Sequence, residues 1–110
     1  MRKFHRTRGR RISFIKVLAN NLIMKEKIVT TEARAKEIRP VVERLVTYAK
    51  KQNIANLRTL ISKISKQAAN KLYYEIAPRY KDRKGGYLRI IKTSIRRKRD
   101  AAKMALIEFV

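Results

Sequence analysis

Apolar side chains recur at helical spacing from residue 14 onward. Phe14, Ile15, Leu18 and Leu22 fall three and four apart, Ile23 extends the stripe, and Lys16 and Asn20 fall off it. This predicts a first helix over residues 13–24 with Ser13 as its cap. Lys27-Ile28-Val29-Thr30 is a short β-branched run and predicts a strand. Thr30 and Thr31 then offer capping hydroxyls ahead of Glu32, an acid favourable in a first turn. A long second helix follows, its stripe made of Ile38, Val41, Val42, Leu45, Val46 and Ala49, with Glu37, Arg44, Lys50 and Lys51 pointing elsewhere. Pro40 sits inside that stripe. Its missing N–H and its ring cost about 3 kcal/mol in an undisturbed helix, so a kink or break is expected near Ile38 and Arg39.

Asn53 and Asn56 are the next candidate caps, and Ile54, Leu57, Leu60, Ile61 and Ile64 predict a third helix. Ser65 interrupts it. Ala68, Ala69, Leu72, Tyr73 and Ile76 predict a fourth, closed by Pro78. Residues 79–87 form a basic loop holding the chain's one Gly pair, Gly85-Gly86. Residues 88–95 then alternate apolar and basic side chains, residues 96–100 make a polar, basic turn, and residues 104–110 oppose Ala105, Ile107 and Phe109 to Leu106, Glu108 and Val110. The last two runs should pair as a hairpin. The order is helix, strand, three helices, two strands: an α+β, two-layer fold with a small sheet covered by helices on one face.

Composition adds one domain and an unusual charge. The chain has 110 residues, 45% of them hydrophobic, enough to fill a single modest core when roughly two-thirds of the unfolded surface is buried. Lys and Arg number 30 against 8 acids, a formal net charge of +22. Residues 1–25 carry +8 and residues 79–110 carry +8, while the two middle segments carry +3 each. A folded body that brings its two charged ends to a polyanion fits this distribution. We take residues 1–12, MRKFHRTRGRRI, as a basic arm that is disordered when free, and residues 13–110 as a single globular domain. No run approaches eighteen apolar residues and no apolar signal core opens the chain, so membrane insertion and secretion are unsupported and an intracellular protein is expected. With no Cys and one His, His5, disulfides, thiolate chemistry, Cys- or His-built metal sites and a Ser-His-Asp relay all lack their parts.

The arm offers Arg2, Lys3, Arg6, Arg8, Arg10 and Arg11, five guanidinium groups to one ammonium. Guanidinium pairs with phosphate in two-pronged geometry and stacks on bases, so nucleic-acid binding is favoured over a solvated tail or an import peptide. In the loop, Arg79, Lys81, Arg83 and Lys84 lie between Tyr80 and Tyr87 or beside them, and Gly85-Gly86 either feeds the next strand, lets backbone N–H groups approach phosphate, or does both. Most of Tyr48, Tyr73 and Tyr74 read as core or half-buried residues rather than base-stacking platforms. Glu26, Glu32, Glu37 and Glu43 read as helix-surface partners of nearby bases. The acids are scattered, and no phosphate loop, dinucleotide fingerprint or zinc spacing occurs, so no enzyme, cofactor or metal is expected.

Several segments together resemble the bacterial large-subunit ribosomal protein L17 family. They are Met1-Arg2-Lys3 with Gly9-Arg10; Ile28-Val29-Thr30-Thr31-Glu32-Ala33-Arg34-Ala35-Lys36-Glu37-Ile38-Arg39-Pro40-Val41; Lys71-Leu72-Tyr73; and Ala77-Pro78-Arg79-Tyr80 running through Asp82-Arg83, Gly85-Gly86-Tyr87, Arg89-Ile90, Met104-Ala105 and Ile107-Glu108. Their order holds over essentially the whole chain. The resemblance implies a structural protein of the large ribosomal subunit, bound to large-subunit rRNA near the exit of the nascent-chain tunnel, beside other ribosomal proteins, one copy per ribosome, in a bacterial cytoplasm. Composition and resemblance together make the arm cations, Lys16, Arg34, Lys36, Arg79, Arg83, Lys84, Gly85, Gly86, Arg89, Lys92, Arg96, Arg97, Lys98 and Arg99 the expected RNA contacts. The rival from another class is a nucleoid-type DNA-packing protein, which would share the charge but more often adds a dimerising helix and a minor-groove wedge.

Overall fold

A computed structural model describes residues 4–110. Helix α1 spans Arg8–Lys25 and ends at Glu26, whose left-handed backbone (φ 63°) turns the chain while its N–H closes on the Leu22 carbonyl at 2.7 Å. Strand β1, Lys27–Thr31, leads into α2, Glu32–Lys50. The Thr31 hydroxyl accepts from the Arg34 N–H at 3.3 Å, the cap that the sequence predicts. Helix α3, Ile54–Lys63, is capped by Asn53, which accepts from Asn56 N–H at 2.8 Å. Helix α4, Lys66–Lys71, is capped by Ser65 through Ala68 N–H at 3.2 Å. Strands β2, Leu88–Arg96, and β3, Lys103–Phe109, complete the predicted α+β order.

The sheet is antiparallel throughout, in the order β1-β3-β2, so the last strand is the central one. Register aligns Ile28, Ile107 and Ile90 across one face and Val29, Leu106 and Ile91 across the other. The first row meets the helices, its central Ile107 wholly buried, as is Ala105 next to it; the second row faces outward, leaving Val29 and Ile91 exposed. Leu22 and Ile23 of α1, Ile38, Val42 and Val46 of α2, Leu60 of α3 and Leu72 supply the rest of one continuous core. The alternation read in residues 104–110 is therefore the two-layer arrangement seen from the chain.

Several details depart from the sequence reading. Helix α1 begins at Arg8 rather than Ser13, with Arg11 N–H on the Thr7 carbonyl at 2.8 Å. A contact no local pattern shows favours the earlier start: Phe4 meets Phe14 edge to face with ring centroids 5.5 Å apart. Helix α2 runs unbroken through Pro40, so the break expected near Ile38 and Arg39 does not occur. Pro40 lies on the solvent side, where water can take up the Lys36 carbonyl that the missing N–H would have bonded, and the buried stripe of Ile38, Val42, Leu45 and Val46 holds the helix together. Beyond α4 the helical path does not stop at Pro78: it widens over Leu72–Ile76 and tightens over Ala77–Tyr80, with Pro78 in the first turn of the last piece. Of the three tyrosines read as core or half-buried, Tyr73 is buried, Tyr48 is about one-third exposed and Tyr74 is well exposed.

Candidate nucleic-acid interface

Basic side chains gather at the two ends of α2. At its start, the Phe14 ring is the meeting point: the Arg6 guanidinium lies 4.0 Å from its centroid and that of Arg34 5.0 Å. The segment before α1 and the first turn of α2 are thereby tied together, with Arg8 and Arg10 exposed beside them and Arg11 half-buried. Glu32 joins the same region to the sheet. Its carboxylate takes Lys36 Nζ at 2.9 Å and Lys92 Nζ at 3.6 Å, and the Lys36 hydrogen bond is the main reason its carboxyl titrates below the ordinary 4.5, against a smaller opposing effect of burial. Lys103 lies against the same turn, lining a shallow depression with Thr31, Glu32 and Lys36.

From there β2 and β3 run on past the end of β1 as a basic hairpin. Asp100 closes its turn by accepting from Arg97 Nε at 3.0 Å and Nη2 at 2.6 Å, and from Ala102 N–H at 3.2 Å. The two-pronged Arg97 contact, helped by the backbone bond, pulls the Asp100 carboxyl down to about 2. Arg96 donates to the Ala101 carbonyl at 3.3 Å. Lys98 and Arg99 are left exposed at the tip.

The loop at residues 81–86 occupies the other end of α2, about 28 Å away at 1.5 Å per residue over the helix's nineteen residues. Two tyrosines hold it. Tyr80 and Tyr87 are both buried, with ring centroids 5.3 Å apart, and Tyr80 also stacks on Phe109 at 6.4 Å. Tyr80 donates to the Val110 carbonyl at 2.7 Å, and burial pushes its phenol above the ordinary value of 10 and keeps it a donor. Lys50, in the last turn of α2, donates to Tyr87 Oη at 2.9 Å and to the Arg83 carbonyl. Lys81, Arg83 and Lys84 project from this frame into solvent. Gly86 has φ +63°, whereas Gly85 has no positive φ; a Cβ at either position would meet nothing within 4 Å. Gly86 is thus required by conformation, and the backbone of the pair is open to an approaching ligand.

Most of the expected contacts therefore fall into three sets. Arg6, Arg8, Arg10, Arg11, Arg34, Lys36, Lys92 and the hairpin residues Arg96, Arg97, Lys98 and Arg99 share the region around the start of α2, and Arg83, Lys84, Gly85 and Gly86 stand at its far end. Arg79 and Arg89 are engaged inside the protein: Arg79 with Glu26, and Arg89 with Glu108 at 2.9 Å on the outer face of the sheet. Glu26 is a joint, held also by Lys71 at 3.5 Å, and its carboxyl sits below the ordinary 4.5 chiefly because Arg79 bonds to it. Lys16 stands apart, on α1 above a groove between helices. Arg2 and Lys3 lie outside the described residues. The charge pattern gives no reason to single out Lys50 or Lys103, whose roles depend on contacts distant in the chain. Among the described residues no group of three or more metal-ligating side chains comes together, and no helix is long and apolar enough to cross a membrane.

Comparison with known proteins converges on one family. The family model for ribosomal protein L17 matches residues 14–110. The large ribosomal subunit protein bL17 of Campylobacter jejuni (strain 81-176) is 50% identical over 110 residues, covering 99% of this chain and 93% of that protein. The bL17 of Persephonella marina is 48% identical over 111 residues, covering 99% and 90%, and that of Hydrogenobaculum sp. is 45% identical over 108 residues, covering 97% and 92%.

Proposed function

The chain belongs to the ribosomal protein L17 family, and from that premise we propose that it is a structural, non-catalytic constituent of the large ribosomal subunit that binds large-subunit rRNA near the mouth of the nascent-chain tunnel. The observation that carries the RNA reading is the distribution of charge in space. The carboxylates of Glu26, Glu32, Glu108 and Asp100 are held at joints between elements, while the arm, the start of α2, the hairpin tip and the 81–86 loop present cations to solvent. A surface of that kind is neutralised by a polyphosphate, with release of counterions. Recognition is of backbone and shape, because A-form RNA hides its base edges in a deep, narrow groove. The cations at the start of the chain are neutralised on docking, and the protein sits beside other large-subunit proteins, one copy per cytoplasmic ribosome.

Co-sedimentation with large-subunit particles, together with footprinting on purified large-subunit rRNA and on duplex DNA, tests this reading. It predicts protection of discrete rRNA sites and only salt-sensitive, unlocalised binding to DNA. Equal protection of duplex DNA, or no association with the particles, would favour the nucleoid-type alternative.

A further inference from the structure

A groove of about 470 Å³ opens between α1, α2 and the end of α3. Its floor is apolar, formed by Ile15, Leu45 and Ile64, and its wall is the Tyr48 ring, 36% exposed at the edge of the buried stripe of α2. Its rim is cationic: Lys16 from α1, Arg44 from α2 and Lys63 from α3. No carboxylate lines it, and among the described residues neither Lys16 nor Arg44 takes part in an ion pair. Two ammonium groups flank the Tyr48 ring, Lys51 at 5.8 Å and Lys63 at 5.9 Å from its centroid. Of these residues only Lys16 belongs to the RNA contacts expected from sequence.

We propose that this groove receives a nucleotide extruded from the RNA stack, its base lying against Tyr48 over the apolar floor and its phosphates held by Lys16, Arg44 and Lys63. The inference rests on the RNA-binding reading above and adds a second mode to it. The outer face of an A-form duplex offers sugars and phosphates, which have no use for an apolar floor. An unstacked base does, because its π-face gains by lying on an aromatic ring whatever the base. The volume is within the range of sites that enclose small ligands. Charge complementarity favours the nucleotide over an apolar protein segment: three cations from three helices converge with no acid among them, and the guanidinium of Arg44 suits phosphate bidentately.

The test compares a short single-stranded oligoadenylate with a blunt RNA duplex, on the full chain, at one fixed salt concentration. The variants are Tyr48→Leu, which keeps the wall apolar, and Tyr48→Phe, which keeps the ring. Tyr48→Leu should lose about 5- to 150-fold in affinity for the single strand, the range that removing one base–aromatic stack produces, with duplex affinity and melting temperature unchanged. Tyr48→Phe should bind both RNAs as the parent does, and amide shifts on adding oligoadenylate should concentrate around the groove. Single-strand affinity unchanged by Tyr48→Leu, with duplex binding intact, would overturn the groove and leave the RNA-binding reading standing. So would groove shifts elicited by an acidic amphipathic peptide and not by oligoadenylate. A parent chain that binds neither RNA would overturn both.

Discussion

Gly85 and Gly86 stand next to each other yet should respond to the same substitution with opposite signs. Gly86 occupies the left-handed region at φ +63°, where an L side chain crowds the following carbonyl and costs about 1–2 kcal/mol. Replacing Gly by Ala also restricts the unfolded chain, a stabilisation of about 0.4–1 kcal/mol. The neighbourhood adds nothing to either figure, since the new Cβ meets no atom within 4 Å. Gly86→Ala should therefore lose about 1 kcal/mol, roughly 4 °C in Tm for a domain of this size. Gly85 has no positive φ and the same open surroundings, so Gly85→Ala keeps only the gain and should melt at or slightly above the parent. Gly86→Asn should recover part of the loss, because Asn tolerates the left-handed region. Thermal melts by circular dichroism measure all three. A neutral Gly86→Ala, or a Gly85→Ala that is less stable by about 1 kcal/mol, would refute the conformational argument. The pair then serves function. If the backbone here lies against rRNA, the Cβ of Gly85→Ala keeps phosphate away, and rRNA affinity falls in a protein that is not destabilised. Affinity equal to the parent's at unchanged Tm would reduce both glycines to turn residues.

Replacing Arg8, Arg10 and Arg11 by Gln should leave the fold intact and lower the salt exponent of rRNA binding by about 0.7–0.9 for each phosphate that is no longer neutralised; an unchanged slope in a filter-binding series would remove the arm from the interface. Pro40→Ala restores an N–H on the exposed side of α2 and should raise the urea midpoint, by a gain of up to about 3 kcal/mol, and a fall would show that Pro40 is part of the packing. The Glu26 carboxyl is depressed in the folded state, so its contribution is complete above the ordinary pKa of 4.5 and is lost as pH falls through the lowered value. Urea midpoints should hold down to about pH 5 and decline below it, and Glu26→Gln should flatten that decline; an unaltered pH profile in the variant would contradict the role of the Arg79 contact. Finally, added salt should raise the melting temperature of the free protein, because screening weakens the self-repulsion of a +22 chain, even as it dissociates the RNA complex; a melting temperature that falls as salt rises would contradict this.

What can be read from the chain is what short-range chemistry decides. The caps at Thr31 and Asn53, the stripe of α2 and the alternation around Ala105 and Ile107 each follow from side chains a few residues apart. What cannot be read depends on partners far along the chain. Nothing local tells that β1 pairs with β3 rather than with β2, making the last strand central. The start of α1 is hidden because six bases in twelve residues read as a solvated arm, whereas Phe4 packs on Phe14 and Arg6 lies over the same ring. Ile54 and Ile61 have helical periodicity, yet α3 buries only Leu60 and its neighbour Ile64 deeply and leaves those two exposed. Tyr80 and Tyr87 flank three cations, a setting that suggests solvent, and are among the buried residues that fix the loop. The groove is beyond sequence reasoning altogether, since Lys16, Arg44 and Lys63 come from three helices.

The acids decide which cations of so basic a chain are held in place. Glu26 ties the end of α1 to Lys71 and Arg79, Glu32 ties the start of α2 to Lys92 of β2, Glu108 ties β3 to Arg89 of β2, and Asp100 closes the hairpin turn through Arg97. Each pair is at least partly exposed, and exposed pairs contribute roughly 0–1 kcal/mol, so together they cannot offset the repulsion among thirty bases. Their effect is on placement. By engaging Arg79, Arg89, Lys92 and Arg97 at joints, they keep those four cations in fixed positions, whereas Lys98, Arg99, Lys81, Lys84, Arg8 and Arg10 stay exposed and can follow a phosphate backbone. The hydrophobic core decides the fold and the few carboxylates decide which cations are rigid. On the proposed reading the remaining charge is balanced by rRNA, and binding to the folded state would then add to its stability.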